Sequence, residues 1–193
     1  MKHEAATILR DEHRSLGAVV HALQFLVREI HDKGRTPDFR LLHAMLYYIR
    51  EYPERLHHPK EDRYLFAALK RRTHEADAVV AELEREHTQG EKLLNDLTVA
   101  LSIFEAGAKE GQQRFSREVS RFADFYWSHM QKEEDQVLPV AERALTEEDW
   151  RGIHAAFSAN QDPNFSGDAQ DEFRRLFTRI VNLTPAPLGL GPA

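Results

Sequence analysis

The sequence predicts an all-α fold: an antiparallel, up-and-down four-helix bundle followed by short C-terminal helices. Three observations carry that prediction. From residue 5 to about 143, apolar residues recur at alternating spacings of four and three, the inward stripe of a bundle helix. Gly34 with Pro37, and then Gly107 with Gly111, fall where that stripe is interrupted. A short polar pattern also occurs twice, about 72 residues apart: a lone histidine, then some forty residues later H-x-x-x-E. At 193 residues the chain can bury one core, and no shift in composition marks a second. Residues 1–145 are expected to form the bundle, and 146–193 a helical extension and tail packed on it.

The first helix carries Leu9, His13, Leu16, Val20, Leu23, Val27 and Ile30 on one seam and stops at G-R-T-P-D. There Thr36 is the expected cap and Pro37 the first helical residue of the next segment. The second helix, about 38–71, shifts its stripe near Pro53 and Pro59, because each proline deletes a backbone donor and bends the helix. The third starts near Thr73 and keeps Val80, Leu83, His87, Gly90, Leu94, Leu97 and Leu101 aligned until Gly107 and Gly111. The fourth carries Phe115, Val119, Phe122, Tyr126, His129, Glu133, Val137 and Val140. Thr146 with Asp149 predicts a capped start for a fifth helix bearing Trp150, Ile153 and Phe157. A loop rich in Asn, Asp, Pro and Gly follows, then a short amphipathic helix over 168–182 and an extended tail from Thr184.

The repeated pattern is His13 with His57 and Glu61, answered by His87 with His129 and Glu133. The neighbouring text repeats too: D-E-H at 11–13 against R-E-H at 85–87, and K-E-D at 60–62 against K-E-E at 132–134. Imidazole and carboxylate one helical turn apart point the same way, so each H-x-x-x-E offers one metal a nitrogen and an oxygen. Short connections force antiparallel neighbours, and residues equidistant from a turn then share a height. The turns near 35, 72 and 109 place His13, His57, His87 and His129 in one layer. Four imidazoles and two carboxylates in one core cross-section would be costly without a partner, and metal resolves the cost. Mixed imidazole and carboxylate donors without thiolate suit iron, manganese or zinc, and two carboxylates favour a dinuclear site.

These residues resemble the hemerythrin-like, H-H-E cation-binding family over about residues 5–143, with both repeats complete. The resemblance implies a four-helix bundle around two non-haem irons, held by terminal histidines and bridged by Glu61, Glu133 and an oxo, hydroxo or water oxygen. It implies a small ligand: dioxygen, nitric oxide or peroxide. The oxygen carriers of the family have a fifth histidine where this chain has Glu91, and an aspartate five residues after the fourth-helix histidine where this chain has Glu133 at four. The four-histidine, two-glutamate set is similar to that of iron-centre repair proteins of nitrosative and oxidative stress, which usually add a cysteine-bearing segment. This chain has no cysteine.

Glu91, one turn after His87, is a further candidate ligand. Glu12 and Glu86 point about 100 degrees from the histidines they precede and are expected at the surface. His58 is expected to face away from His57, and His21, His43, His74 and His154 to lie at the surface or between helices. Gly17 and Gly90 are expected to leave room for a small ligand or for close helix approach. Tyr47, Tyr48, Tyr52, Tyr64, Tyr126 and Trp127 read as packing residues. A rival ferritin-like pattern, E-x-x-H at Glu54–His57 and Glu84–His87, fails because it is not duplicated at matching positions.

A net charge of −6 with no block of like charges argues against nucleic acid and anionic membrane partners. Without cysteine the chain makes no disulfide or thiolate site, and with no signal-peptide core or long apolar run it is expected in the cytoplasm. A homodimer is compatible with the amphipathic last helix. The alternative function is a noncatalytic module whose metal holds the bundle together while 146–193 recruits a partner. Nothing supports nucleophilic catalysis.

Overall fold

The computed structural model describes residues 2–158, 167–186 and 188–191; the predicted Asn-, Asp-, Pro- and Gly-rich loop lies largely outside these. The described residues form six helices and no strand, apart from one bridge between Pro185 and Gly191. Helix α1 spans Lys2–Lys33, α2 spans 39–72, α3 spans Asp77–Glu105 and α4 spans 111–144. Helices α5 (Glu147–Ser158) and α6 (Gly167–Leu183) follow. The first four are the predicted bundle. Helix α3 packs along α4, α1 packs along α4 and α2, and the later helices add α5 against α1 and α6 against α2. No helix among the described residues is long and apolar enough to cross a membrane.

The chain turns where its backbone allows it. Gly34 and Gly107 have φ of 67° and 71°, the left-handed conformation that ends a helix at no side-chain cost. The cap of α2 is Asp38 rather than Thr36: its carboxylate accepts from Leu41 N at 3.1 Å, so Pro37 lies before the helix instead of inside it. Thr146 and Asp149 form the predicted reciprocal cap of α5. Asp149 N donates to Thr146 Oγ1 at 3.2 Å, and Thr146 N donates to Asp149 Oδ2 at 3.0 Å. The described residues of the tail are not extended. Leu190 N donates to Val181 O and Gly191 N to Thr184 O, which folds the segment back on the end of α6. A Cβ at Gly191 would sit 2.5 Å from Leu183 O, so only glycine fits there.

Two apolar clusters divide the core. One, around Leu23, Leu42, Met45, Leu97, Phe115 and Phe122, fills the end of the bundle near the α1–α2 and α3–α4 turns. The other, around Leu9, Phe66, Leu83, Val137, Trp150 and Phe157, fills the opposite end and includes α5. Between them lies a layer of buried polar side chains from all four bundle helices: His13, His57, His58, Glu61, His87, His129 and Glu133.

Candidate metal centre

Three π-helical turns shape this layer. In α2 they cover Arg50–His57 and Glu61–Phe66, and in α4 Glu133–Val137. The wider ring is visible in the hydrogen bonds His58 N to Pro53 O and Leu138 N to Glu133 O, each spanning five residues. Pro53 cannot donate to the carbonyl four residues back, which removes a rung that would hold the α form. Glu61 and Glu133 each open a π turn, so the duplication extends to backbone geometry. Each extra residue rephases the helix, and the paired burials Leu65–Phe66 and Val137–Leu138 follow at matching positions.

The structure brings the six sequence-derived residues together and adds a seventh. Two donor groups, each with ligand atoms within 4.8 Å of one another, are His13, His57, Glu61 and Glu133, and His58, Glu61, His87 and His129. His58 does not face away. It is 4% exposed, its ring stacks on His87 at 4.2 Å and meets His129 edge-on at 5.2 Å. Adjacent residues of an α-helix diverge by about 100 degrees, and the π turn ending at His57 leaves both His57 and His58 inward. The signals were present in the sequence as H-H-P and as the prolines on either side. Glu91 is exposed on α3 and joins neither group. The E-x-x-H rival dissolves as well, since Glu84 is held by Lys70 at 2.5 Å on the surface.

Each carboxylate presents one oxygen to each group. Glu61 Oε1 is 3.2 Å from His57 Nε2 while its Oε2 is 3.6 Å from His87 Nε2. Glu133 Oε2 is 3.2 Å from His13 Nε2 while its Oε1 is 3.3 Å from His129 Nε2. Across the first group the Nε2 atoms of His13 and His57 face each other at 3.1 Å.

The outward ring nitrogens also have partners. His13 Nδ1 meets Glu134 at 2.9 Å, His57 Nδ1 meets Glu12 at 2.6 Å, His87 Nδ1 meets Asp62 at 2.9 Å and His129 Nδ1 meets Glu86 at 3.1 Å. His58 Nδ1 is the exception, 3.5 Å from Glu54 and without a hydrogen bond. Glu12 and Glu86 are therefore not surface charges. Each reaches across a helix interface to the H-x-x-x-E histidine of the neighbouring helix, and Asp62 and Glu134 return the contact to the lone histidines. A carboxylate at Nδ1 fixes the ring orientation and leaves Nε2 to face inward, the arrangement usual around metal-binding imidazoles.

The polar atoms left over in this layer test whether a metal fits. Both oxygens of Glu61 and of Glu133, and Nε2 of His87 and His129, are buried with no hydrogen bond. So many orphaned donors and acceptors in one place would be costly without a cation, and imidazole with carboxylate is a donor set that transition metals accept. In the metal-free chain, protons stand in for the cation. Burial alone would push His57 down, yet Glu61 and Glu12 lift it to about 9. Burial opposes the same change at His87, and Asp62, Glu133 and Glu61 lift it to about 12. Burial would raise Glu61, but His57 and the hydrogen bonds of His13, His57 and His87 hold it well below the ordinary carboxylate range.

The two glycines serve neighbouring side chains. A Cβ at Gly17 would lie 3.0 Å from the Trp127 ring, and one at Gly90 would lie 3.2 Å from Glu54 Oε1 and 3.3 Å from Phe125. Both mark close approach between helices.

No curated protein matches the chain. A family model does, the hemerythrin HHE cation-binding domain, over residues 4–141, which takes in all four bundle helices and every residue of the two donor groups. A match over most of the chain, with the donor groups inside it, makes this protein a member of the hemerythrin HHE cation-binding family.

Proposed function

We propose that the chain is a non-haem di-iron protein whose buried centre binds or reacts with dioxygen, nitric oxide or peroxide, in sensing, stress response or iron handling. The observation that carries this reading is the disposition of Glu61 and Glu133, each with one oxygen toward His13 or His57 and the other toward His87 or His129. A single ion uses such a carboxylate from one side only; two ions share it. His13 and His57 would hold one ion and His58, His87 and His129 the other. Iron in this setting would supply Lewis acidity and one-electron redox chemistry. Manganese and zinc are the other ions the donor set accepts.

The chain's own part is to hold, orient and keep dry. Phe66 stacks on His87 at 5.8 Å, Phe125 on His129 at 6.1 Å, and Phe157 of α5 meets His57 edge-on at 5.9 Å. The two sides differ, with three imidazoles against two, so the His13 and His57 side leaves more positions for a small ligand. At the position corresponding to His58 in the other half-repeat stands Met130, buried but a weak donor.

Metal analysis of anaerobically purified protein, with visible spectra before and after exposure to dioxygen and to nitric oxide, tests the reading. Two irons per chain and a spectrum that answers to either gas are expected. One zinc, or a silent spectrum with loss of fold under chelation, would instead indicate a metal-stabilised interaction module.

A further inference from the structure

We propose that Tyr126 is a one-electron donor to the metal centre, coupled through Glu54, and that peroxide treatment of the iron-loaded protein leaves an oxidised tyrosine at this position. The inference rests on the di-iron reading above. Tyr126 is fully buried on α4, three residues before His129, and its ring centroid lies 6.1 Å from those of both His58 and His129. Its hydroxyl donates to Glu54 Oε1, and Glu54 Oε2 is 3.5 Å from His58 Nδ1. Phenol and carboxylate are hydrogen-bonded, and the carboxylate in turn lies beside a buried imidazole of the donor group whose Nδ1 makes no hydrogen bond.

That arrangement exceeds what packing asks for. A buried phenol needs only a neutral acceptor, such as a backbone carbonyl, whereas a carboxylate brought into the core carries a desolvation cost. Gly90 maintains the pair: a Cβ there would come within 3.2 Å of Glu54 Oε1 and 3.7 Å of the Tyr126 hydroxyl. A phenol holds its proton until an electron leaves, and the oxidised phenol then sheds it readily. A carboxylate already accepting the hydrogen bond can take that proton without movement of either side chain. Phe122 at 4.5 Å and Phe125 at 5.7 Å flank the ring and shield an oxidised form from water. Tyr47 and Tyr64, by contrast, are exposed at 52% and 39%.

The O–H bond of Tyr126 would break, with its proton passing to Glu54 and its electron leaving toward the donor group. With iron bound there, hydrogen peroxide as oxidant would take that electron, a second from ferrous iron and two protons from solvent, and would leave as two waters. The tyrosine takes the oxidising equivalent that would otherwise fall on the imidazoles.

The test is freeze-quench electron paramagnetic resonance of the iron-loaded full chain mixed with hydrogen peroxide. An organic radical signal is expected that narrows when the chain is produced with ring-deuterated tyrosine. Tyr126→Phe should abolish it, Glu54→Gln should reduce its yield, and Tyr64→Phe should leave it unchanged. A signal insensitive to deuteration overturns the proposal, as does one that survives in an iron-loaded Tyr126→Phe protein. No radical despite a peroxide-induced change in the iron spectrum also overturns it while leaving the di-iron reading intact. Failure to load iron, or a spectrum indifferent to peroxide, removes both.

Discussion

The imidazoles of the polar layer are held from both sides, and that sets what single substitutions should do. Glu12→Gln and Glu86→Gln remove the negative charge at Nδ1 of His57 and His129 while keeping the shape and one hydrogen-bonding oxygen. Metal affinity should fall about 10- to 100-fold in each, read by competition with a chromophoric chelator. Unchanged affinity would reduce these contacts to incidental ion pairs. Proton linkage gives a second prediction. With His57 raised to about 9 and His87 to about 12, the metal-free centre holds imidazolium at neutral pH. An imidazolium cannot ligate, so loading must expel protons, and apparent affinity should rise with pH through about 9, where His57 gives up its proton, and on toward about 12, where His87 does. Calorimetry at neutral pH in buffers of different ionisation enthalpy should show net proton release. The sign for stability is the opposite. A raised imidazole pKa stabilises the metal-free fold fully below the ordinary value of about 6.5, and the benefit is lost as pH climbs through the raised values. Residue types and spacings were enough to place six of the seven buried histidines and glutamates of this layer together. The role of Glu12 and Glu86 was not legible, because an offset of about 100 degrees from a ligand was equated with solvent when it was the interface with the neighbouring helix.

At the level of helices, the strict alternation of apolar residues located α1, α3 and α4 because these are α-helical through most of their length. It lost register in α2, where two π turns each insert a residue. His58 was misread there, since a pattern counted at 3.6 residues per turn cannot show an added residue. The duplication survives the distortion. Buried residues at 57, 61, 65, 66, 68 and 69 recur at 129, 133, 137, 138, 140 and 141. Within that register the one substitution of a donor is Met130 for His58. Met130→His should therefore supply a third imidazole to the His13 and His57 side and occupy a position otherwise left for a small ligand. The variant is expected to keep two metals per chain but to lose most of its spectral response to nitric oxide; a full response would place ligand entry elsewhere. Helix α5 has a comparable part. Its cap was readable from Thr146 and Asp149, but that it brings Phe157 to His57 was not, because the sequence says nothing of which bundle helix a trailing segment covers. Phe157→Ala should cost about 3–5 kcal/mol, as large core truncations do, and should lower metal affinity by freeing the His57 ring.

For the molecule as a whole, the polar layer sits between two apolar clusters that could each pack without it, so the metal-free chain is expected to fold but with a fault across its middle. Binding to the native state alone adds stability as RT ln(1 + [L]/Kd), about 2.7 kcal/mol at a free metal concentration 100 times Kd. In a chain of this length each kcal/mol moves Tm by about 2–4 °C, so each ion loaded should raise Tm by about 5–11 °C and chelation should reverse it. Glu61 belongs to both donor groups, and Glu133 of the first has its other oxygen 3.3 Å from His129 of the second, which makes a finer prediction. An ion in one group fixes the Glu61 carboxylate in the orientation the other group needs, so the second ion should bind more tightly than the first. Anaerobic titration with ferrous ion should run to two equivalents with little singly loaded protein along the way. Glu61→Ala, which removes an oxygen from both groups, should cost both ions together, whereas His13→Ala should cost mainly the ion on its own side. If Glu61→Ala and His13→Ala instead lose metal to the same extent, with one ion retained in each, the two groups load independently and the shared carboxylates are not what couples them.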